Sequence, residues 1–159
     1  ETASRLFDGE GIGTRKTVFV NNGVLDNWLL DIGTSLQLNL STNGNAVRGL
    51  NGSPSPGISN FILEPGKSSP EDLVADIKEG FLITELIGSS VSLITGDYSR
   101  GASGFWIKNG KISHPISEAT IAGNLIDMFK DMIAANDVDY SFSMVCPTLM
   151  IKNMVVAGS

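Results

Sequence analysis

The chain of 159 residues contains a single cysteine and a single histidine. One cysteine excludes an internal disulfide and suits a reducing compartment. His114 and Cys146 alone do not make up the three or four clustered ligands of a self-contained zinc site. No H-E-x-x-H or H-E-x-x-x-H segment occurs. A serine triad would need the same histidine, and the segment 97–101, DYSRG, has the wrong residue at the first glycine of G-x-S-x-G. Long apolar runs are missing as well. None approaches the roughly 20 residues of a membrane-spanning helix, and residues 1–11, ETASRLFDGEG, lack the apolar stretch of a signal peptide. The expectation is a cytoplasmic chain with no membrane partner. Positive charge is scarce, with 11 Lys and Arg against 17 Asp and Glu, so no nucleic-acid partner is expected. The length suits one ordinary domain, able to bury roughly 68–70% of its unfolded surface.

The most informative stretch is 96–112, GDYSRGASGFWIKNGKI. A polar turn sets Asp97 and Arg100 beside the hydroxyls of Tyr98 and Ser99, and Gly101 and Gly104 permit a close backbone approach. Residues 105–107 read as a buried strand. Asn109-Gly110 is a strong hairpin signal, because both central residues of such a turn take positive φ. That loop predicts Ile107 facing Ile112, Trp106 facing Ser113 and Phe105 facing His114, which makes His114 a packed, hydrogen-bonded core residue.

Asn22-Gly23 predicts a second hairpin between strands 16–20 and 24–30. Val24, Trp28 and Leu30 would share one face of it and Leu25 and Leu29 the other, both covered. Residues 32–40 read as a short helix or irregular chain. The segment 41–56, STNGNAVRGLNGSPSP, is poor in apolar residues and reads as a long, functional or mobile loop. Its one strong charge, Arg48, is a candidate clamp for a carboxylate or for backbone carbonyls. Residues 59–63 read as a strand. Ser69-Pro70-Glu71-Asp72 starts a helix over 70–79 that Gly80 would end. Residues 81–87 and 91–95 are apolar on both faces and read as central strands, where Glu85 would need a salt bridge, a wet pocket or a substrate. Ile121, Leu125, Met128, Phe129, Met132 and Ile133 fit a helical stripe over 120–135. Gly123-Asn124 at its start would leave N–H groups open to an anion or a peptide carbonyl. A last strand is expected over 148–156. Two glycine-rich segments carry no nucleotide signal: 7–14 reads as a tight loop, and Gly66-Lys67-Ser68 lacks the first glycine of a phosphate-binding loop. The expected fold is α+β: a mostly antiparallel sheet, two-layered or a partial barrel, with helices 70–79 and 120–135 packed on it.

GDYSRGASGFWIKNG, followed by PISEATIAGNLIDMF at 115–129, resembles the TldD/PmbA family, in particular its PmbA (TldE) branch. FDGEG (7–11), GVLDNWLLD (23–31), STNGNAVRG (41–49), ELIG (85–88), Asn136-Asp137 and Cys146-Pro147 match in the family's order, so the resemblance covers essentially the whole chain. The TldD branch typically continues from its C-terminal cysteine as C-G-K-x-G-Q and lacks the DYSRGASGFW run. Here the cysteine is followed by Pro147-Thr148 and the run is present. The resemblance implies that residues 1–159 are the C-terminal domain, incomplete at its N-terminal side, of a PmbA/TldE-like protein. It implies a non-catalytic partner in a cytosolic TldD–TldE type metalloprotease acting on small or unfolded peptides. Zinc would then belong to a TldD-like partner, with no cofactor in this chain, and Cys146 would be a small buried hydrophobe. The partners implied are a TldD-like subunit, or a second copy in a homo-oligomer, and a peptide substrate. Candidate contacts to substrate or partner are Asp97, Tyr98, Ser99, Arg100, Gly101, Asn124 and Arg48, holding an extended peptide by backbone pairing; no catalytic residue is expected. Two other readings stand beside this one: a metallopeptidase in its own right with ligands upstream of Glu1, and a regulatory adaptor of DNA gyrase.

Overall fold

A computed structural model describes residues 3–158, and strand outweighs helix in it, 39% against 12%. The chain divides into two compact units, residues up to 63 with 139–146, and residues 64–138 with 147–158.

The second unit is built on a four-stranded antiparallel sheet. Its first three strands are consecutive in the chain: β6 (Glu79–Val91), β7 (Asp97–Lys108) and β8 (Lys111–Asn124). β12 (Val155–Gly158) pairs with the far half of β8, giving the order β12-β8-β7-β6. The Asn109-Gly110 turn forms as expected, with φ of 50° and 72°, and sets Lys108 opposite Lys111 and Ile107 opposite Ile112. Beyond that point the register departs from simple alternation. Ser113 and His114 together oppose Trp106, so Phe105 faces Pro115, and His114 is exposed, bonded to the Ser113 hydroxyl. The expectation of a core histidine is therefore corrected: a β-bulge shifts it out of the ladder. Ala102, Ile107, Ala119 and Ile121 form the buried centre of the sheet.

The predicted helix over 120–135 is largely strand. Ile121 pairs with Arg100 on one side and Val156 on the other. Burial of Ala119 and Ile121 around exposed Thr120 has the period of two that marks a strand. The six matching positions of the helical stripe hid that alternation. Only α3 (Leu125–Lys130) is helical, capped by Asn124, and its Phe129 is exposed. Residues 92–95 form a turn and not the strand expected at 91–95, while the strand expected at 81–87 lies within one long strand, β6, whose outer side has no partner among the described residues. It is an edge strand rather than a central one, and Glu85 is exposed on it.

The helix start at 69–72 is as expected. The Ser69 hydroxyl accepts from the Asp72 N–H and the Asp72 carboxylate from the Ser69 N–H, opening α2 (Pro70–Ala75). It ends at Asp76, earlier than Gly80, because the Ile77 and Lys78 carbonyls accept from the N–H groups of the Asn109-Gly110 turn. β9 (Ile133–Ala134) pairs with β11 (Leu149–Met150).

In the first unit the ladders are two residues long. β1 (Val20–Asn21) and β2 (Val24–Leu25) flank Asn22-Gly23, β3 (Ala46–Val47) pairs with β4 (Ser55–Pro56), and β5 (Phe61–Ile62) runs parallel to β10 (Met144–Val145). α1 (Ile32–Gln37) is capped by Asp31. The two covered faces expected for 24–30 do not form: Val24, Leu25 and Trp28 are more than half exposed, and Leu30 is buried. Ladders this short cannot build a layer. No sheet of the described residues closes into a barrel.

Candidate functional site

The structure gathers Asp97, Tyr98, Ser99, Arg100, Gly101 and Asn124 at one end of the four-stranded sheet, where Asp97 pairs with Asn124 and Tyr98 with Gly123. Arg48, exposed, belongs to the other unit. The expected polar turn at 96–104 is in fact strand from Asp97 onward. Because β7 lies between β6 and β8, both of its edges are already hydrogen-bonded. An extended peptide cannot pair with its backbone, and that part of the expectation is corrected.

Asn124 organises the end of the sheet. Its side-chain oxygen accepts from the Ile126 N–H at 3.0 Å, which caps α3, and its amide nitrogen donates to the Thr95 carbonyl at 3.0 Å. The Leu125 N–H donates to the Gly96 carbonyl at 2.7 Å. The N–H groups expected to be open at this helix start are thus in part already used by the chain. The Asp97 carboxylate accepts from the Thr95 hydroxyl at 2.6 Å. Arg100 donates from Nε to the Gly88 carbonyl at 2.7 Å and from Nη2 to the Leu86 carbonyl at 3.5 Å.

Beside Asn124 lies an open cleft of about 340 Å³, lined in part by Gly123, Asp127, Asp131, Lys152 and Asn153. Asn153 holds a positive φ of 60° and donates to the Asp131 carboxylate at 3.3 Å, while Lys130 and Asp127 form an exposed ion pair at 3.8 Å. Both signs of charge and several amides meet there, a surface suited to polar main-chain groups and without a nucleophile–base pair. Sequence reasoning missed the contribution of residues 131 and 152–153, and only the tolerance of asparagine for positive φ hints at it.

Other missed residues are structural. Asp8 accepts the N–H groups of Glu10 and Ile12 at 2.9 Å and of Ala46 at 3.0 Å. Burial alone would raise its pKa; the N–H groups of Ala46, Glu10, Ile12 and Gly11 outweigh that and hold it below the ordinary carboxylate value. The Glu10 carboxylate accepts from the Ile32 N–H. Asn43, buried, bridges Leu30, Trp28 and Asn45, so the 41–56 segment is tied down rather than loose at its start. Asp137 takes both the hydroxyl and the N–H of Thr148, which keeps its carboxyl below the usual range.

The chain is similar to known proteins along nearly its whole length. The family model for the PmbA/TldA metallopeptidase C-terminal domain matches residues 1–158. The chain belongs to the PmbA/TldD family. The metalloprotease PmbA of Escherichia coli O157:H7 is 38% identical over 98% of the chain and 33% of its own length. A crystal structure of TldE from Thermococcus kodakarensis superposes with a TM-score of 0.85 at 25% identity, over 97% of this chain and 36% of that one. A protein from Bacteroides thetaiotaomicron, named as a candidate modulator of DNA gyrase, gives a TM-score of 0.84 at 29% identity, over 99% and 34%. Within Haemophilus influenzae, the PmbA homologue is 36% identical over 99% of the chain and 33% of its own length. The TldD homologue there is 27% identical over 84% of the chain and 28% of its own length. The chain thus spans about one third of the length of the curated relatives it matches.

The metallopeptidase name of the family implies a metal ion. Among the described residues no three His, Cys, Asp or Glu side chains cluster, and His114 and Cys146 are both exposed and lie in separate units. Cys146 is therefore not the small buried residue expected. It follows a two-residue ladder whose buried position is taken by Val145. These residues do not fit a tetrahedral zinc site, which needs convergent ligands.

Proposed function

We propose that this α+β chain is part of a longer, cytoplasmic PmbA/TldE-type subunit that supports peptide hydrolysis without performing it, with zinc and the general base supplied by a TldD-like partner. The observation that carries this reading is the unequal similarity to the two branches, 36% identity to a PmbA homologue against 27% to a TldD homologue of the same organism. Peptide substrate or partner would meet this end of the sheet, at Asp97, Tyr98, Ser99, Arg100, Gly101, Asn124 and the adjoining cleft, with Arg48 a separate contact in the other unit. The test is hydrolysis of small peptides by the full-length protein with and without a TldD-like partner, together with its zinc content. Activity and zinc are expected only in the mixture. Stoichiometric zinc and hydrolysis by the full-length protein alone would replace this reading with a metallopeptidase in its own right. That alternative draws on the metalloprotease names carried by the relatives. The gyrase reading draws on the names of two similar structures and predicts direct binding to a topoisomerase at physiological salt.

A further inference from the structure

We propose that Arg100 is a positioning residue: its guanidinium clamps a bulge in β6 and so fixes where the turn 92–96 projects from the sheet. Ile87 pairs with Gly101 and Ser90 with Ser99, so residues 88 and 89 together oppose Arg100 alone. Such a two-against-one register interrupts the ladder and leaves main-chain groups without strand partners. Arg100 reaches across to the bulge, donating at 2.7 Å to the Gly88 carbonyl within it and, more weakly at 3.5 Å, to the Leu86 carbonyl just before it. Guanidinium is suited to this because its rigid fork presents several donors and never loses its charge.

Gly88 is the other half of the device. Its φ is 71°, and a Cβ there would meet nothing within 4 Å, so conformation rather than space demands glycine. The bulge matters because it sets the height of the turn beyond it. Leu93 and Ile94 are 90% and 98% exposed at the tip of that turn, whose base is tied by Ser92–Asp97 and Asn124–Thr95 hydrogen bonds. A β6 strand that lost the bulge would slip by one residue, and a one-residue slip turns every later side chain to the opposite face. Residues 90 and 91 would turn over, and the turn would be pulled away from Asn124. Arg100 thereby holds one of two registers open to an edge strand, without needing to touch a substrate.

The experiment is amide hydrogen exchange on the full-length protein, comparing wild type with Arg100→Gln and Arg100→Lys. Loss of the charge-assisted bonds is expected to speed exchange about tenfold across 86–97, leaving 105–112 unchanged. Lysine, reaching one carbonyl at a time, is expected to restore part of the protection. Wild-type exchange at 86–97 in Arg100→Gln overturns the proposal. So does an equal acceleration at 105–112, which would mark Arg100 as a general contributor to stability. Should Arg100→Gln not fold, Gly88→Ala attacks the same bulge from the backbone side. It is expected to give the same local pattern, and wild-type exchange at 86–97 in that variant also overturns the proposal.

Discussion

The two units are held together by different means. In residues 79–124 and 155–158, long strands satisfy their own backbone, and buried Ala102, Ile107, Ala119 and Ile121 need only pack. In residues up to 63 the ladders are two residues long, and backbone groups are satisfied instead by side chains such as Asp8, Asp31 and Asn43. Among the described residues of the first unit, the buried hydrophobic ones are Leu30, Ala46 and Val145, alongside buried Asp31, Ser35 and Asn43. A ladder is redundant, since losing one bond leaves its neighbours in place. A carboxylate that accepts three N–H groups is not redundant, and its removal opens all three sites together.

The largest expected effect lies in the sheet. Ile107 is 2% exposed, and Ile107→Ala should lower stability by about 4 kcal/mol, read from urea unfolding of the full-length protein. A loss below 1 kcal/mol would show that the buried centre collapses without cost, and the contrast with the first unit would fail. Gly104→Ala should follow at about 3 kcal/mol, because a Cβ there would stand 1.9 Å from the Leu82 carbonyl oxygen on the neighbouring strand, and backbone must shift to admit it.

Asp8→Ala probes the first unit and should cost about 2 kcal/mol, expressed as faster amide exchange at residues 10, 12 and 46 with the sheet unaffected. Its pH dependence sharpens the comparison. The folded pKa of Asp8 lies below its unfolded value, so the carboxylate contributes stability above the unfolded pKa, and that contribution is lost as pH falls through the folded value. The gap between wild type and Asp8→Ala should therefore begin to narrow as pH falls below the ordinary carboxylate range, about pH 4, and go on narrowing through the lower folded value. A gap of constant size down to the acid limit would mean the charge of Asp8 plays no part.

The same contrast explains how far the sequence was legible. Asn22-Gly23, Asn109-Gly110 and the Ser69 cap are local, since turn and cap chemistry reside in two to four adjacent residues, and all three formed as expected. Residues 120–124 were misread because a few apolar positions satisfy a helical and a strand period alike. The pairing with Arg100 and Val156 that decides between them comes from distant segments. His114 was misplaced by one bulge, which no local signal announced. Of the candidate site, the grouping of 97–101 with Asn124 was partly legible because the hairpin fixes how far β7 and β8 run together. The lining from Lys152 and Asn153 was not, since it arrives from elsewhere in the chain.

The smallest effect tests the position of β6. An apolar run around Glu85 suggests a central strand with a carboxylate in need of a partner, yet Glu85 is exposed, opposite Ser103 on an edge strand. An exposed carboxylate keeps its hydration, so Glu85→Gln should change the unfolding free energy by no more than about 0.5 kcal/mol. The measurement belongs in the full-length protein, the setting of the proposed function. A loss above 1 kcal/mol there would mean that this edge is covered and that Glu85 is paired across the contact. The sheet would then owe part of its stability to side-chain pairing, as the first unit does, and the distinction between the two halves would narrow.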